Sequence, residues 1–223
     1  MYDVKGHLHQ VLETLPQGVR LVAISKFHPI EYIEAAYTEG QRIFGESHEQ
    51  ELRQKHQLLP DDIEWHFIGH LQTNKVKHIV PYVSMIESVD SLKLLQEINR
   101  QAERLGRSVK VLFELHIAQE TTKNGLTLDE CRQLLESGEW RTMEYVEICG
   151  LMMMASFIKD RGQIRQEMQV AADFFDEVKT KYFNDSDSFC ERSWGMSDDY
   201  QIALETRSTM VRIGTTIFGP RVY

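Results

Sequence analysis

A chain of 223 residues that is 42% apolar and 26% charged has the balance of an ordinary globular protein, long enough for one α/β barrel. Its net charge of −9 argues against a nucleic-acid partner, which needs a basic face, but leaves room for a small anionic ligand held by a few local donors. Three scattered cysteines without a CxxC argue against a zinc ribbon or a disulfide scaffold, and with no signal peptide and no run of ~18 apolar residues the chain is expected in the cytoplasm, away from membranes.

Val4, Leu8, Val11, Leu12 and Leu15 recur at helical spacing and predict a lead-in helix. "VRLVAIS" then predicts a first strand, followed by a helix carrying Ile30, Ile33, Ala36 and Tyr37. "RIFGES" is the second strand and is followed by a polar helix from about Glu49 to Leu58. "IEWHFIGH" is the third, with the basic segment "TNKVKHIV" behind it. After the fourth strand, "MIESV", Asp90 and Ser91 offer an N-cap to a helix with Leu92, Leu95, Ile98 and Ala102. "VKVLFELHI" is the fifth, and Thr127 caps the helix after it. "VEICGLMMM" is the sixth, leading into a long helix striped by Ile164, Met168, Ala171, Phe175, Val178 and Tyr182. "FCERSWGM" and "MVRIGTTIF" are the seventh and eighth, separated by the short helix "SDDYQIALET".

Eight compact apolar strands alternating with helices call for a parallel sheet covered on both faces, and eight is the closure number of the (β/α)8 barrel. An open doubly wound sheet is the fallback, but the GxGxxG of a dinucleotide site is absent. With no linker and no composition shift, residues 1–223 are expected to form one domain.

In such a barrel the strand C-termini share one rim, where function collects. The first strand delivers Ser25 and Lys26, the second Gly45, Glu46 and Ser47, the third His70, and the sixth Met152, Met153 and Met154. The seventh delivers Gly195, Met196 and Ser197, and the eighth Arg212, Gly214 and Thr215. Glycine beside Ser or Thr, opening into the next helix, supplies N–H groups and hydroxyls suited to a phosphate. Barrel closure brings the first strand beside the eighth, so Lys26 is expected near a ligand whose phosphate rests on Ser197, Gly214 and Thr215. A lysine facing a phosphate ester suggests a Schiff base with pyridoxal phosphate, with Arg212 near the pyridine nitrogen.

Each feature also has a plainer reading. A lysine ending a strand is commonly solvated, and "GMS" or "GTT" alone is commonly a turn and a cap. His66 and His70 fall on one face of their strand but lack a third metal ligand. Lys75, Lys77 and His78 read as a solvated helix face, and the methionine run as packing.

The segments "LVAISKFHP", "GQRIFGESHEQE", "IEWHFIGHLQTNKVKHI", "ESVDSLKL", "GLMMM" and "GMSDDYQIALETRSTMVRIGTTIFGPRVY" resemble, in order, the pyridoxal phosphate homeostasis proteins of the YggS/PROSC type. The resemblance implies the barrel half of the alanine-racemase (type III) fold without its C-terminal β-domain, since the chain ends at Tyr223, soon after Gly219. It implies pyridoxal 5′-phosphate on Lys26, its phosphate on Ser197, Gly214 and Thr215, and Arg212 facing the ring nitrogen, with Met196 counted among the cofactor-binding residues. Two positions depart from the family pattern: Ser47 stands where asparagine is common, and Trp194 where methionine is usual.

Two functions lead, ahead of a plain phosphosugar-binding barrel that holds only if Lys26 does not bind an aldehyde. One is a monomeric, non-enzymatic protein that buffers the cofactor or delivers it to apo forms of pyridoxal-phosphate enzymes. The other is an amino-acid racemase, or a related enzyme, of low activity. Racemisation needs acid and base groups on opposite faces of the substrate Cα, and one lysine serves one face. A permanently charged arginine cannot hand a proton to the ring nitrogen, which keeps the ring a weak electron sink. Both features favour the non-enzyme.

Overall fold

The computed structural model of the chain describes residues 2–117 and 124–220; Lys123 and the terminal Tyr223 lie outside them. Helix α1 (Val4–Thr14) begins on Asp3, whose carboxylate accepts the Gly6 N–H at 2.9 Å, and buries Val4, Leu8 and Val11. The alternation then runs β1 (Arg20–Ile24), α2 (Ile30–Thr38), β2 (Ile43–Glu46), α3 (Glu49–Leu58) and β3 (Glu64–Phe67). A 3-10 turn (Thr73–Lys75) leads into α4 (Val76–Ile79), then β4 (Met85–Val89) and α5 (Leu92–Arg104). The second half is β5 (Val109–Leu115), α6 (Leu128–Ser137), β6 (Val146–Met153), α7 (Arg161–Tyr182), β7 (Glu191–Ser193), α8 (Tyr200–Glu205), β8 (Met210–Ile213) and α9 (Thr215–Phe218).

The helix starts follow the chemistry legible in the sequence. Ser91 accepts from Leu94 N at 3.3 Å at the head of α5, and Thr127 with Glu130 forms a reciprocal capping box on α6. The predicted stripe of α7 is buried from Ile164 to Val178.

All eight strands are parallel and close into a barrel in sequential order. Closure is made by β1 against β8, with Leu21 opposite Val211 and Ala23 opposite Ile213. Several strands are shorter than their apolar runs predict, because the residues at their C-terminal ends leave the sheet to build the rim. In β7 the pairing stops at Ser193; two residues on, Gly195 takes φ +94, and a Cβ there would lie 2.5 Å from the Ala203 side chain.

Side-chain parity divides the interior. One large apolar core lies between barrel and helices, and a smaller one (Val22, Ile24, Met85, Leu112, Cys149, Met152 and Met210) fills the barrel itself. Continuing each strand by two residues places Glu87, Glu114 and Arg212 on that same inner face, toward the C-terminal rim. All three are buried.

Candidate functional site

The C-terminal rim encloses a cavity of about 410 Å3 whose walls include Lys26, Met196, Ser197, Arg212 and Thr215, five of the six residues singled out in the sequence. The sixth, Gly214, joins them through its backbone: its N–H donates to Ser197 Oγ at 3.3 Å, tying the loop after β8 to the loop after β7. A Cβ on Gly214 would sit 3.0 Å from the carbonyl oxygen of Ile24, so this close approach leaves little room for a side chain. Ser197 accepts in that bond and keeps its own O–H for another acceptor. The turn is fixed by Asp199, buried at the start of α8, whose Oδ1 accepts the Met196 N–H at 2.5 Å. Burial raises the pKa of this carboxyl despite the backbone hydrogen bond.

Arg212 is 4% exposed and makes three hydrogen bonds through its two terminal nitrogens. Nη1 donates to Ser193 O at 2.7 Å and to Ser193 Oγ at 2.6 Å, and Nη2 donates to Met153 O at 2.8 Å. The Ser193 hydroxyl in turn donates to Glu87 Oε2 at 2.6 Å across the barrel, and Glu87 Oε1 accepts from His66 Nδ1 at 2.6 Å. An ionised carboxylate only accepts, so Nδ1 carries the proton in this bond. Burial by itself raises the Glu87 pKa, but the hydrogen bond and charge of His66, the Arg212 charge and the Ser193 hydroxyl outweigh it and hold it below the usual carboxylate range. Burial acts unopposed enough on Glu114 to push it up to about 7; Asp90 adds to the rise and Arg212 resists it.

Lys26 stands at the end of β1 in a turn where Phe27 takes φ +64, a left-handed conformation that a bulky residue adopts rarely. The segment is backed by α3. Lys55 Nζ donates to Ser25 O at 2.8 Å, to Glu46 Oε1 at 2.8 Å and to Glu51 Oε1 at 2.7 Å. Glu51 Oε1 also accepts the Phe27 N–H at 2.7 Å, and Ser25 Oγ donates to Glu46 Oε1 at 2.6 Å. Burial raises the Glu46 pKa, the Lys55 charge opposes the rise and the Glu51 charge adds to it.

The remaining wall is the loop after β6. Ser156 donates its N–H to Glu167 Oε2 at 2.7 Å and its hydroxyl to Glu167 Oε1 at 2.8 Å, which ties the loop to α7 and leaves Phe157 exposed at the mouth. Sequence reasoning missed this wall, the Glu87 network and the role of Lys55.

Several other expectations resolve. His66 and His70 do not meet: His66 is buried against Glu87, while His70 lies half-exposed with Nδ1 3.2 Å from Asp90. No cluster of three metal-ligating side chains occurs among the described residues. Lys75 is not simply solvated, because its ammonium reaches Glu49 at 2.7 Å across to α3. Ser47 lines a neighbouring cavity of about 300 Å3 with His48 and Gln72, away from the Lys26 cavity. Met154 lines the cavity rather than only packing. Trp194 is buried and donates Nε1 to Thr206 Oγ1 at 3.2 Å, so it braces the stem of the β7 loop. A larger groove of about 560 Å3 opens at the opposite end of the barrel, beside the N-termini of β6 and β7, the end that serves stability in this fold.

The alanine racemase N-terminal domain family matches residues 4–222. The pyridoxal phosphate homeostasis protein of Schizosaccharomyces pombe is 35% identical over 212 residues, covering 92% of this chain and 85% of that protein. The structure of PipY from Synechococcus elongatus with PLP bound superposes with a TM-score of 0.87 at 32% identity, covering 97% of this chain and all of PipY. An alanine racemase of Clostridium difficile shares the fold at 17% identity and a TM-score of 0.74, with this chain spanning 56% of the racemase. The barrel is therefore the alanine-racemase-type barrel expected of the sequence, and the chain belongs to the pyridoxal phosphate homeostasis protein family.

Proposed function

We propose that the protein binds pyridoxal 5′-phosphate in the Lys26 cavity as a Schiff base and acts in cofactor homeostasis, as a buffer or donor with little or no turnover. The observation that carries the reading is the convergence of a lysine, an arginine and the Ser197–Gly214 cradle on one cavity. A volume of about 410 Å3 lies in the range of small-cofactor sites. Bound there, the cofactor supplies an aldehyde whose condensation with the Lys26 amine releases one water. Ser197 and Thr215 offer hydroxyl donors to the phosphate, Gly214 lets the backbone pass close to them while its N–H holds Ser197, and Met196 begins the turn that presents Ser197. Arg212, held on three sides by Ser193 and Met153, presents a fixed positive charge to the ring nitrogen and no transferable proton. That arrangement supports holding the cofactor over carrying out carbanion chemistry.

Within this reading the protein is a cytoplasmic monomer of one domain, and apo forms of pyridoxal-phosphate enzymes are the recipients. Among the described residues, no helix is long and apolar enough to cross a membrane. The test is borohydride reduction of the purified protein followed by peptide mass spectrometry. A pyridoxyl group on Lys26, absent from Lys26→Ala, is the expected result; labelling at Lys75 or Lys77 instead overturns the reading. Cα proton exchange of alanine in heavy water, with product chirality, separates holder from racemase. Exchange with racemisation at about 1–10³ per second would make the protein an enzyme.

A further inference from the structure

We propose that Lys55 is a positioning residue for Lys26, acting through a cluster of buried Glu46 and Ser25 with partly exposed Glu51 that fixes the backbone on both sides of the cofactor lysine. The proposal rests on Lys26 being the point of attachment and goes beyond that reading by assigning a role to residues that do not line the cavity.

Helix α3 is mostly polar, and of its residues only Leu52 and Lys55 are buried. An ammonium is placed in the interior only where its hydrogen-bonding demand is met. Lys55 meets it with three acceptors, matching its three donors. One of those acceptors is the carbonyl of Ser25, which belongs to the peptide group preceding Lys26. The peptide group following Lys26 is held by the same cluster, since its N–H, on Phe27, donates to Glu51 Oε1. The two peptide planes that set the direction of the Lys26 side chain are thus tied to one ion cluster centred on the buried Lys55. The left-handed φ at Phe27 persists only where surrounding structure over-determines it, and these bonds do so. Glu46 Oε1 is shared by Lys55 and Ser25, while its Oε2 is buried without a hydrogen-bond partner. A cluster that tolerates an unsatisfied carboxylate oxygen is poorly optimised for stability, which fits a task of orientation.

The test compares the full-length protein with Lys55→Met, Glu51→Ala and Glu51→Gln. Three quantities are read: the rate at which added pyridoxal 5′-phosphate becomes borohydride-fixable on Lys26, the affinity for pyridoxine 5′-phosphate, which lacks the aldehyde, and urea unfolding. Misorienting a reacting group by about 1 Å can slow its reaction ~100-fold, so Lys55→Met and Glu51→Ala should slow adduct formation by about 10- to 100-fold. Affinity for pyridoxine 5′-phosphate should stay within about two-fold of the parent protein, because the cradle sits on other strands. Glu51→Gln retains an acceptor for the Phe27 N–H and should recover most of the rate. Should Lys55→Met fail to fold, the Glu51 pair decides, since that side chain is 22% exposed and its loss leaves no empty core. Parent-like adduct rates in Glu51→Ala overturn the proposal, as do equal losses for both ligands. A parent protein that never labels on Lys26 would instead overturn the functional reading beneath it.

Discussion

The cavity is built by two methods. On one side, Lys26 and Arg212 are delivered by buried ionic clusters: Lys55 with Glu46 and Glu51 behind the first, Glu87 with His66 behind the second. On the other, the Ser197–Gly214–Thr215 cradle uses hydroxyls and peptide N–H groups on short turns, braced by one backbone bond to Asp199. Cations in a low-dielectric interior need counter-charges to stay ionised and in place. Peptide donors keep their dipoles in any surroundings and need only geometry. Disturbing the ionic side should therefore damage the fold and the site together, whereas disturbing the cradle should touch one ligand group.

The largest effect should come from Glu87→Ala, which strands the Arg212 guanidinium in the barrel. Removing one partner of a buried pair costs about 3–5 kcal/mol, visible as a lower urea midpoint at pH 7; a loss within 1 kcal/mol would mean that Ser193 and Met153 suffice to hold Arg212. Glu114 gives a pH-dependent version. Its folded pKa of about 7 lies above the ordinary carboxylate value of 4.5, so ionisation is disfavoured in the fold. The resulting destabilisation is absent below pH 4.5, grows as pH rises to about 7, and is constant beyond it. At about 1.4 kcal/mol per pH unit, Glu114→Gln should stabilise the cofactor-free protein by up to about 3 kcal/mol at pH 8 and by little at pH 4. A gain independent of pH would assign the effect to packing.

On the cradle side, Ser197→Ala removes one donor to a charged oxygen, a bond worth about 1.5–3 kcal/mol. Affinity for pyridoxal 5′-phosphate should fall by roughly 10- to 100-fold, while affinity for pyridoxal hardly changes and the unfolding midpoint moves by no more than the loss of the Gly214 N–H bond to Ser197, about 1 kcal/mol. The smallest effect concerns the turn after Lys26. Phe27→Gly and Phe27→Ala lose the same ring, but only alanine keeps the left-handed penalty of about 1–2 kcal/mol. Glycine should be the more stable variant by about 1 kcal/mol in urea; a more stable alanine variant would show that this turn relaxes to a negative φ.

The barrel and the residues that meet at its rim were legible because both are local signals. Apolar runs alternate with helical stripes, and Gly195–Ser197 and Gly214–Thr215 each fall within a few residues of a strand end. Lys26 was legible for the same reason. What stabilises the two cations was not legible, because its members are far apart in the chain. Arg212 bonds Ser193 and Met153, 19 and 59 positions away, and Ser193 reaches Glu87 across 106. One hint existed: in "MIESV" a glutamate shares parity with Met85, whose side chain fills the barrel, and a charged inward residue demands a partner. Lys55 was hidden differently. It looks like one more solvated lysine paired with Glu51 at i, i+4, and only the packing of α3 against β2 turns Lys55 inward.

The pairing of β1 with β8 has a consequence for how the protein comes into being. Lys26 lies in the first eighth of the chain, yet its neighbouring strand β8 and the Gly214 that follows it lie in the last. During synthesis the lysine leaves the ribosome long before the cradle does, and no partly made chain has the complete cavity. Closing the ring joins segments about 190 residues apart, a non-local step of the kind that slows folding. A ligand that needs both ends binds only chains that have finished this step, and it draws the population toward them by mass action.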